Sequence, residues 1–223
     1  MAKERIKAAD FVRVITLAYI VFFHCHEELR VTTNPSFMYL FEDIGPLRVA
    51  CNALFLALSG AMFYLGYGSL DIKSEKADLT RFYKKRILSI FPSFWIAWGC
   101  MYLIKAVLAR NPFYKGSPWK LLLSITGLDG YFAYRGDNYY ILGEWFLGAI
   151  VLLYLFYHLI HICFKKWEIP TVTVSVVLTA LAVSGSFWKI GYDRNLLSCM
   201  MCFVFGMTYM KHREFFKKPA VVL

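Results

Sequence analysis

Charge is scarce in this chain, and what there is clusters. Asp, Glu, Lys and Arg make up 18% of the residues, against 59% hydrophobic and 18% aromatic. A soluble core of this length cannot absorb so much apolar surface, so the composition excludes an ordinary soluble domain and points to the bilayer. Acid is scarcer than base. The net charge of +10 would suit a nucleic-acid partner, but the basic residues stand at the ends of apolar runs, where membrane topology puts them, and nucleic acid is rejected as a partner. No Pro-, Gly- or Ser-rich linker and no repeat interrupts the sequence, so 1–223 reads as one domain. Without an inverted repeat or paired Gly/Pro-broken runs, a small-solute transporter is the weaker alternative. The six cysteines lie mostly inside apolar runs and read as small buried hydrophobes. In the local cluster His24-Cys25-His26, adjacent side chains point in different directions, which makes a poor metal site, so no metal is expected. No cleavable signal peptide is expected either. The first apolar run is too long, lacks a small-residue cleavage site and ends in charge.

What is present is a series of apolar runs close to the ~20 residues that a bilayer crossing needs. They fall at 10–29, 49–68, 87–108, 141–164, 171–188 and 195–210, the last two being short. The stretch "SPWKLLLSITGL", 117–128, is too short to cross and reads as an interfacial or re-entrant helix. The expected fold is all-α, a polytopic transmembrane bundle of about six spans plus this short interfacial helix.

Arg13 and His24 sit within the first run, "DFVRVITLAYIVFFHCHEELR". Eleven residues make about three turns of helix, so the two share a face and stand ~16 Å apart along the axis. Thr16, Leu17, Ile20 and Glu27 share or border that face. An ionisable residue inside a membrane is costly and is by default a functional candidate. The plainer alternative makes Arg13 an inner flank and His24 an interface residue.

Arg, ten residues, His on a first membrane helix resembles the acyltransferase-3 family of integral membrane acyltransferases. "ADFVRVITLAYIVFFH" is similar to its opening signature, with Asp10 and Arg13. "NALFLALSGAMFYLG" is similar to its second helix, with Ser59 and Gly60, although an acidic residue often stands where this chain has Asn52. "FYKKRILSIFPSFWIAW" is similar to the basic entry of its third helix, with Arg86 and Pro92. "YYILGEWFLGAIVLLYLFYHLI" is similar to a later helix that begins with an acidic residue, here Glu144. Members of that family usually have several more helices, so the resemblance implies a domain incomplete at its C-terminus, and an inactive truncated membrane subunit stands as another alternative.

The resemblance implies transfer of an acyl group from acyl-CoA, commonly acetyl-CoA, to a hydroxyl of a cell-envelope or exported carbohydrate. Its expected partners are the lipid bilayer, the acyl-CoA donor and a carbohydrate acceptor. Imidazole exchanges protons near neutrality, so His24 suits the general base. The guanidinium fork of Arg13 suits the donor's pantetheine or phosphate end. Arg86 and Lys85, with Lys84, suit the CoA phosphates, although positive-inside anchoring explains the lysines equally well. Glu144 or Glu27 can orient His24. Ser59 can donate a hydrogen bond, or with Gly60 form a tight packing pair. Pro92 is expected to kink the third helix. Trp119, Tyr131, Tyr134, Tyr139, Tyr140 and Trp145 form an aromatic belt or a sugar-stacking surface.

The charges also order the spans. With a cytoplasmic N-terminus, sixteen of the 25 basic residues fall on the inner side, the block "SEKADLTRFYKKR" being the densest. The expectation is a cell-membrane protein with both termini cytoplasmic and the loop 109–140 outside. A cysteine introduced by Lys76→Cys should therefore resist a membrane-impermeant maleimide on intact cells and react once the cells are opened; labelling from outside would reverse the topology.

Overall fold

A computed structural model describes residues 6–32, 45–67, 75–132, 136, 138–139, 141–143, 145–185 and 189–217, apart from the side chains of 27–32, 45, 75–79 and 216–217. Among these residues the regular structure is entirely helical: α1 (Lys7–Thr32), α2 (Gly45–Tyr67), α3 (Glu75–Leu108), α4 (Trp119–Ile125), α5 (Asp129–Phe132), α6 (Trp145–Lys166), α7 (Glu168–Ser184), α8 (Leu196–Lys211) and α9 (Arg213–Lys217). Many of these segments are rich in Val, Ile and Thr, which disfavour helix in water. In hydrocarbon each backbone N–H and C=O must be satisfied within the segment, so an isolated apolar run becomes a helix regardless of that preference.

Among the described residues four helices are long and apolar enough to cross a membrane, with candidate spans Lys7–His26, Pro46–Tyr67, Thr80–Leu108 and Trp145–Lys166. The other two expected spans are α7 and α8, shorter apolar helices of 17 and 16 residues. At 1.5 Å per residue they measure ~24–26 Å, a little under the ~30 Å hydrocarbon core. The third span begins earlier than expected, because α3 draws the basic block Arg81–Arg86 into its first turns. The helix continues through Pro92 as one element. Nearby, Ser89 Oγ donates to the Arg86 carbonyl at 3.0 Å and Ser93 Oγ to the Ile90 carbonyl at 3.1 Å.

The chain divides into two compact units, Met1–Ser69 with Cys199–Leu223, and Leu70–Ser198. In the first, α1 packs on α2, and α2 meets α8 at near-zero backbone clearance. A Cβ on Gly60 would collide with the Phe203 carbonyl, and one on Gly206 with the Ala57 carbonyl. Each glycine thus seats the partner helix's backbone, the way membrane helices associate without a hydrophobic driving force between them. Phe63 and Phe203 pack beside this contact with ring centroids 5.7 Å apart. Cys199 and Cys202 form a Cys-x-x-Cys spacing on α8 that a residue-by-residue reading of the cysteines passes over; neither is in a disulfide, and Cys199 is buried.

In the second unit α6 is the hub, packed by α3, α5 and α7. Its buried positions Ala149, Leu153, Tyr157, Ile160 and Phe164 recur at spacings of three and four, which line up one side of a helix. Trp167 alone separates α6 from α7, and Pro170 is accommodated in the first turn of α7, where no helical N–H bond is lost. Asn195 starts α8, its Oδ1 accepting from the Leu197 N–H at 3.0 Å.

Two glycines separate contact from propensity. Gly99 in α3 has no neighbour within 4 Å of an added Cβ. Gly99→Ala should raise stability by about 0.5–1 kcal/mol, the usual gain of Ala over Gly in a helix. Gly60→Ala should lower it by about 1–3 kcal/mol through overpacking. Thermal unfolding of both variants in the same detergent measures the difference in sign.

Candidate functional site

The first helix runs unbroken from Lys7 to Thr32, so Arg13 and His24 lie on one rod as their spacing requires. Arg13 Nη1 pairs with Asp10 Oδ1 at 3.5 Å, both side chains more than a third exposed. A half-exposed i,i+3 pair of this kind is worth only a few tenths of a kcal/mol, so it steers the guanidinium without committing it. Asp10 in the first turn also faces the positive end of the helix dipole. One turn on, Thr16 is buried, and its hydroxyl donates to the Val12 and Arg13 carbonyls at 2.7 and 3.1 Å.

His24 is exposed, with its ring edge-on to Phe23 at 5.7 Å. The inward histidine at this end is His26, only 6% exposed and 6.3 Å from the Phe22 ring. Two residues rotate a helix by ~200°, which accounts for the opposite environments. The sequence reading passed over His26 because adjacency in the triplet says nothing of which ring is covered. Arg48, at the start of α2, places its guanidinium 5.3 Å from the centre of the Phe23 ring. The side chain of Glu27 lies outside the described residues.

Ser59 Oγ donates to the Phe55 carbonyl at 2.8 Å within α2. Its proton is thus used inside the helix, while Gly60 beside it makes the backbone contact with α8. Of the two readings of this pair, the geometry favours packing. Asn52, which stands where an acid often occurs, is buried.

In the second unit the guanidinium of Arg86 lies between two aromatic rings, 5.6 Å from Phe82 and 5.7 Å from Tyr154. Phe82 stacks on Tyr157 at 5.3 Å, and Tyr157 stacks on His161 at 5.5 Å. Tyr83 Oη donates to the Leu155 carbonyl at 2.9 Å, fastening α3 to α6 beside this column. Each cation–π contact contributes about 0.5–2 kcal/mol, so Arg86 is positioned, whereas Lys84 and Lys85 are exposed. His161, 5% exposed, was missed, because a lone histidine in an apolar run carries no spacing signal. Glu144, one residue before α6, lies outside the described residues.

After α3 the chain brings α4 back along α3. Trp98 Nε1 donates to Ser124 Oγ at 2.7 Å and Trp95 Nε1 to the Ile125 carbonyl at 3.0 Å. Trp98 is ten residues before the end of α3, so the end of α4 reaches ~15 Å down the helix. That favours the re-entrant form over a flat interfacial one. Gly127, at φ +73°, ends α4: its N–H bonds the Ser124 carbonyl and the Leu128 N–H bonds the Leu123 carbonyl. A Cβ on Gly130 would strike the Trp145 backbone. Ser124 and Asp129 are fully buried, and Asn138 Nδ2 donates to the Asp129 carbonyl at 2.9 Å. Irregular backbone at such depth is stable where protein covers it.

The aromatic belt divides on inspection. Trp119 is 76% exposed, whereas Tyr139 is 2% exposed and packs on Tyr114 at 5.2 Å, out of reach of a sugar. Burial, then the neighbouring Tyr102, pushes the Tyr139 phenol up from its ordinary range. Tyr131 Oη donates to the Arg194 carbonyl at 3.0 Å, and Arg194 covers the Trp145 ring at 5.6 Å. Tyr134 and Tyr140 lie outside the described residues.

Regular structure that is all helical among the described residues, with four long apolar helices there and ionisable side chains on them, defines an integral membrane protein. The acyltransferase-3 family's profile, described as an acyltransferase domain, matches residues 6–220. The chain belongs to that family, and it is a membrane acyltransferase by family. No curated protein and no solved structure matches it.

The Trp98–Ser124 bond tests the re-entrant packing. Ser124→Ala strands the indole N–H and should cost about 1–3 kcal/mol, while Trp98→Phe with Ser124→Ala should recover part of that loss, since no donor is then left unpaired. Thermal unfolding of the two singles and the double gives the coupling.

Proposed function

We propose that this chain moves an acetyl group from acetyl-CoA to a hydroxyl of a cell-envelope or exported polysaccharide. The observation that carries the reading is the continuity of α1 between Arg13 and His24, which puts a cation and a base ~16 Å apart and within about 20° of one face. His24 acts as general base. The acceptor oxygen attacks the thioester carbonyl carbon as its proton passes to the imidazole; the C–S bond breaks, and the imidazolium returns the proton to the departing CoA thiolate. Arg13 holds the donor through charge-assisted hydrogen bonds. Lys85 and Arg86 meet the CoA phosphates, Arg86 from a setting already fixed by Phe82 and Tyr154. Glu144 orients His24, with Glu27 as the second candidate. The protein sits in the cell membrane with both ends cytoplasmic, so donor and acceptor approach α1 from opposite sides. Family membership and the basic bias of the inner segments support this arrangement.

The two ends of α1 should fail differently. His24→Ala removes proton transfer in the transition state, so kcat should fall by ~10²-fold or more while donor binding is spared. Arg13→Ala should weaken donor affinity by roughly 1.5–3 kcal/mol, and Arg13→Lys should restore only part, since an ammonium lacks the fork. Acetyl-CoA binding and single-turnover transfer on each variant separate the cases. Unchanged transfer in His24→Ala would leave that histidine an interface residue.

A further inference from the structure

Tyr154, Tyr157 and His161 follow one another on α6 at spacings of three and four, which places them along one side of the helix. His161 is buried, and neither of its ring nitrogens has a hydrogen-bond partner among the described residues. Two buried nitrogens left unpaired are costly, so hydrogen bonding is not what this position draws from the side chain. The contact it makes is through the flat face of the ring, which stacks on Tyr157 with centroids 5.5 Å apart and planes 28° from parallel. Tyr157 in turn stacks on Phe82 at 5.3 Å and 21°. Phe82 then carries the Arg86 guanidinium at 5.6 Å.

The column thus ends on Arg86, which the acyl-transfer reading sets against the CoA phosphates. Arg86 lies one helical turn beyond Phe82 on α3, and the second ring facing its guanidinium, Tyr154, belongs to α6. Tyr83 fastens α3 to α6 at the same level through the Leu155 carbonyl. Both rings at the guanidinium are therefore placed by packing between these two helices. A ring that backs another restrains it, because a close-packed interior leaves no room to turn. Without the face of His161, Tyr157 gains that room, its stack on Phe82 slackens, and Arg86 loses the fixed position of one of its two rings. A phenyl group at 161 supplies the same flat face, whereas an aliphatic side chain of similar bulk does not.

We propose that His161 is a positioning residue for the acyl donor: through Tyr157 and Phe82 it fixes the Arg86 guanidinium where the CoA phosphates meet it. This role holds only if Arg86 meets those phosphates, as the acyl-transfer reading has it. Calorimetric titration of the detergent-purified 223-residue chain with acetyl-CoA tests both. Arg86→Ala should weaken binding about tenfold or more, the worth of a charge-assisted contact. His161→Leu should weaken it about threefold to tenfold, the worth of one aromatic pair, and His161→Phe should bind acetyl-CoA as the unaltered chain does. In the Arg86→Ala background His161→Leu should cause no further loss, a dependence that a general loosening of the fold does not produce. His161→Met also lacks the ring and gives the same comparison where the Leu variant fails to fold. Equal weakening by His161→Leu in both backgrounds overturns the proposal, as does a Phe variant that binds as poorly as the Leu one. If Arg86→Ala weakens binding and His161→Leu does not, the donor contact stands and the positioning role falls. Unaltered affinity in Arg86→Ala overturns the donor contact and the positioning role together.

Discussion

Hydrocarbon offers no hydrogen-bond partner, and that constraint governs the rest of this structure. Each unsatisfied N–H or C=O costs several kcal/mol there, so the long apolar runs fold as uninterrupted helices whatever their side chains prefer. Hydroxyls inside the spans behave the same way. Thr16, Ser59 and Thr208 all donate to a carbonyl of their own helix. Each of these three protons is already used within its own helix. This is why Ser59, whose hydroxyl donates to the Phe55 carbonyl, is better understood as a helix-packing residue.

Association of the helices then rests on shape. Lipid tails are as apolar as leucine, so leucine gains little by meeting leucine, and close approach has to come from small residues. Gly60 and Gly206 bring α2 and α8 together backbone to backbone, and Gly130 does the same for α5 and the start of α6. Where the backbone leaves the helical form, indoles tie it down: Trp95 and Trp98 hold the end of α4 against α3. The buried Ser124 and Asp129 are tolerated within this covered turn.

Cations follow a third rule. In a low-dielectric setting a guanidinium needs a partner, and aromatic faces supply one without neutralising its charge. Arg86 between Phe82 and Tyr154, Arg48 over Phe23 and Arg194 over Trp145 all use this device. Arg13 instead has a weak pair with Asp10.

Much of the fold was legible because bilayer crossing is decided by run length and charge, both one-dimensional. The all-helical character and the spacing of Arg13 and His24 along one rod follow directly from the sequence, as does family membership through the four ordered signatures, whereas α1 and α2 begin at Lys7 and Gly45, before the apolar runs at 10 and 49. Lateral placement was not legible. Sequence does not say that His26 is covered while His24 is exposed, that Tyr139 is buried while Trp119 is open, or that the Phe82–Tyr157–His161 column stands beside Arg86. Those outcomes depend on which neighbours cover which face, and periodicity is weak when every side of a helix is apolar. The depth of the turn after α3 is likewise set by two indole hydrogen bonds to residues 26 and 30 positions away. Local composition carries no trace of contacts at such separation, so the sequence determined what enters the membrane, and tertiary packing alone decided what faces what inside it.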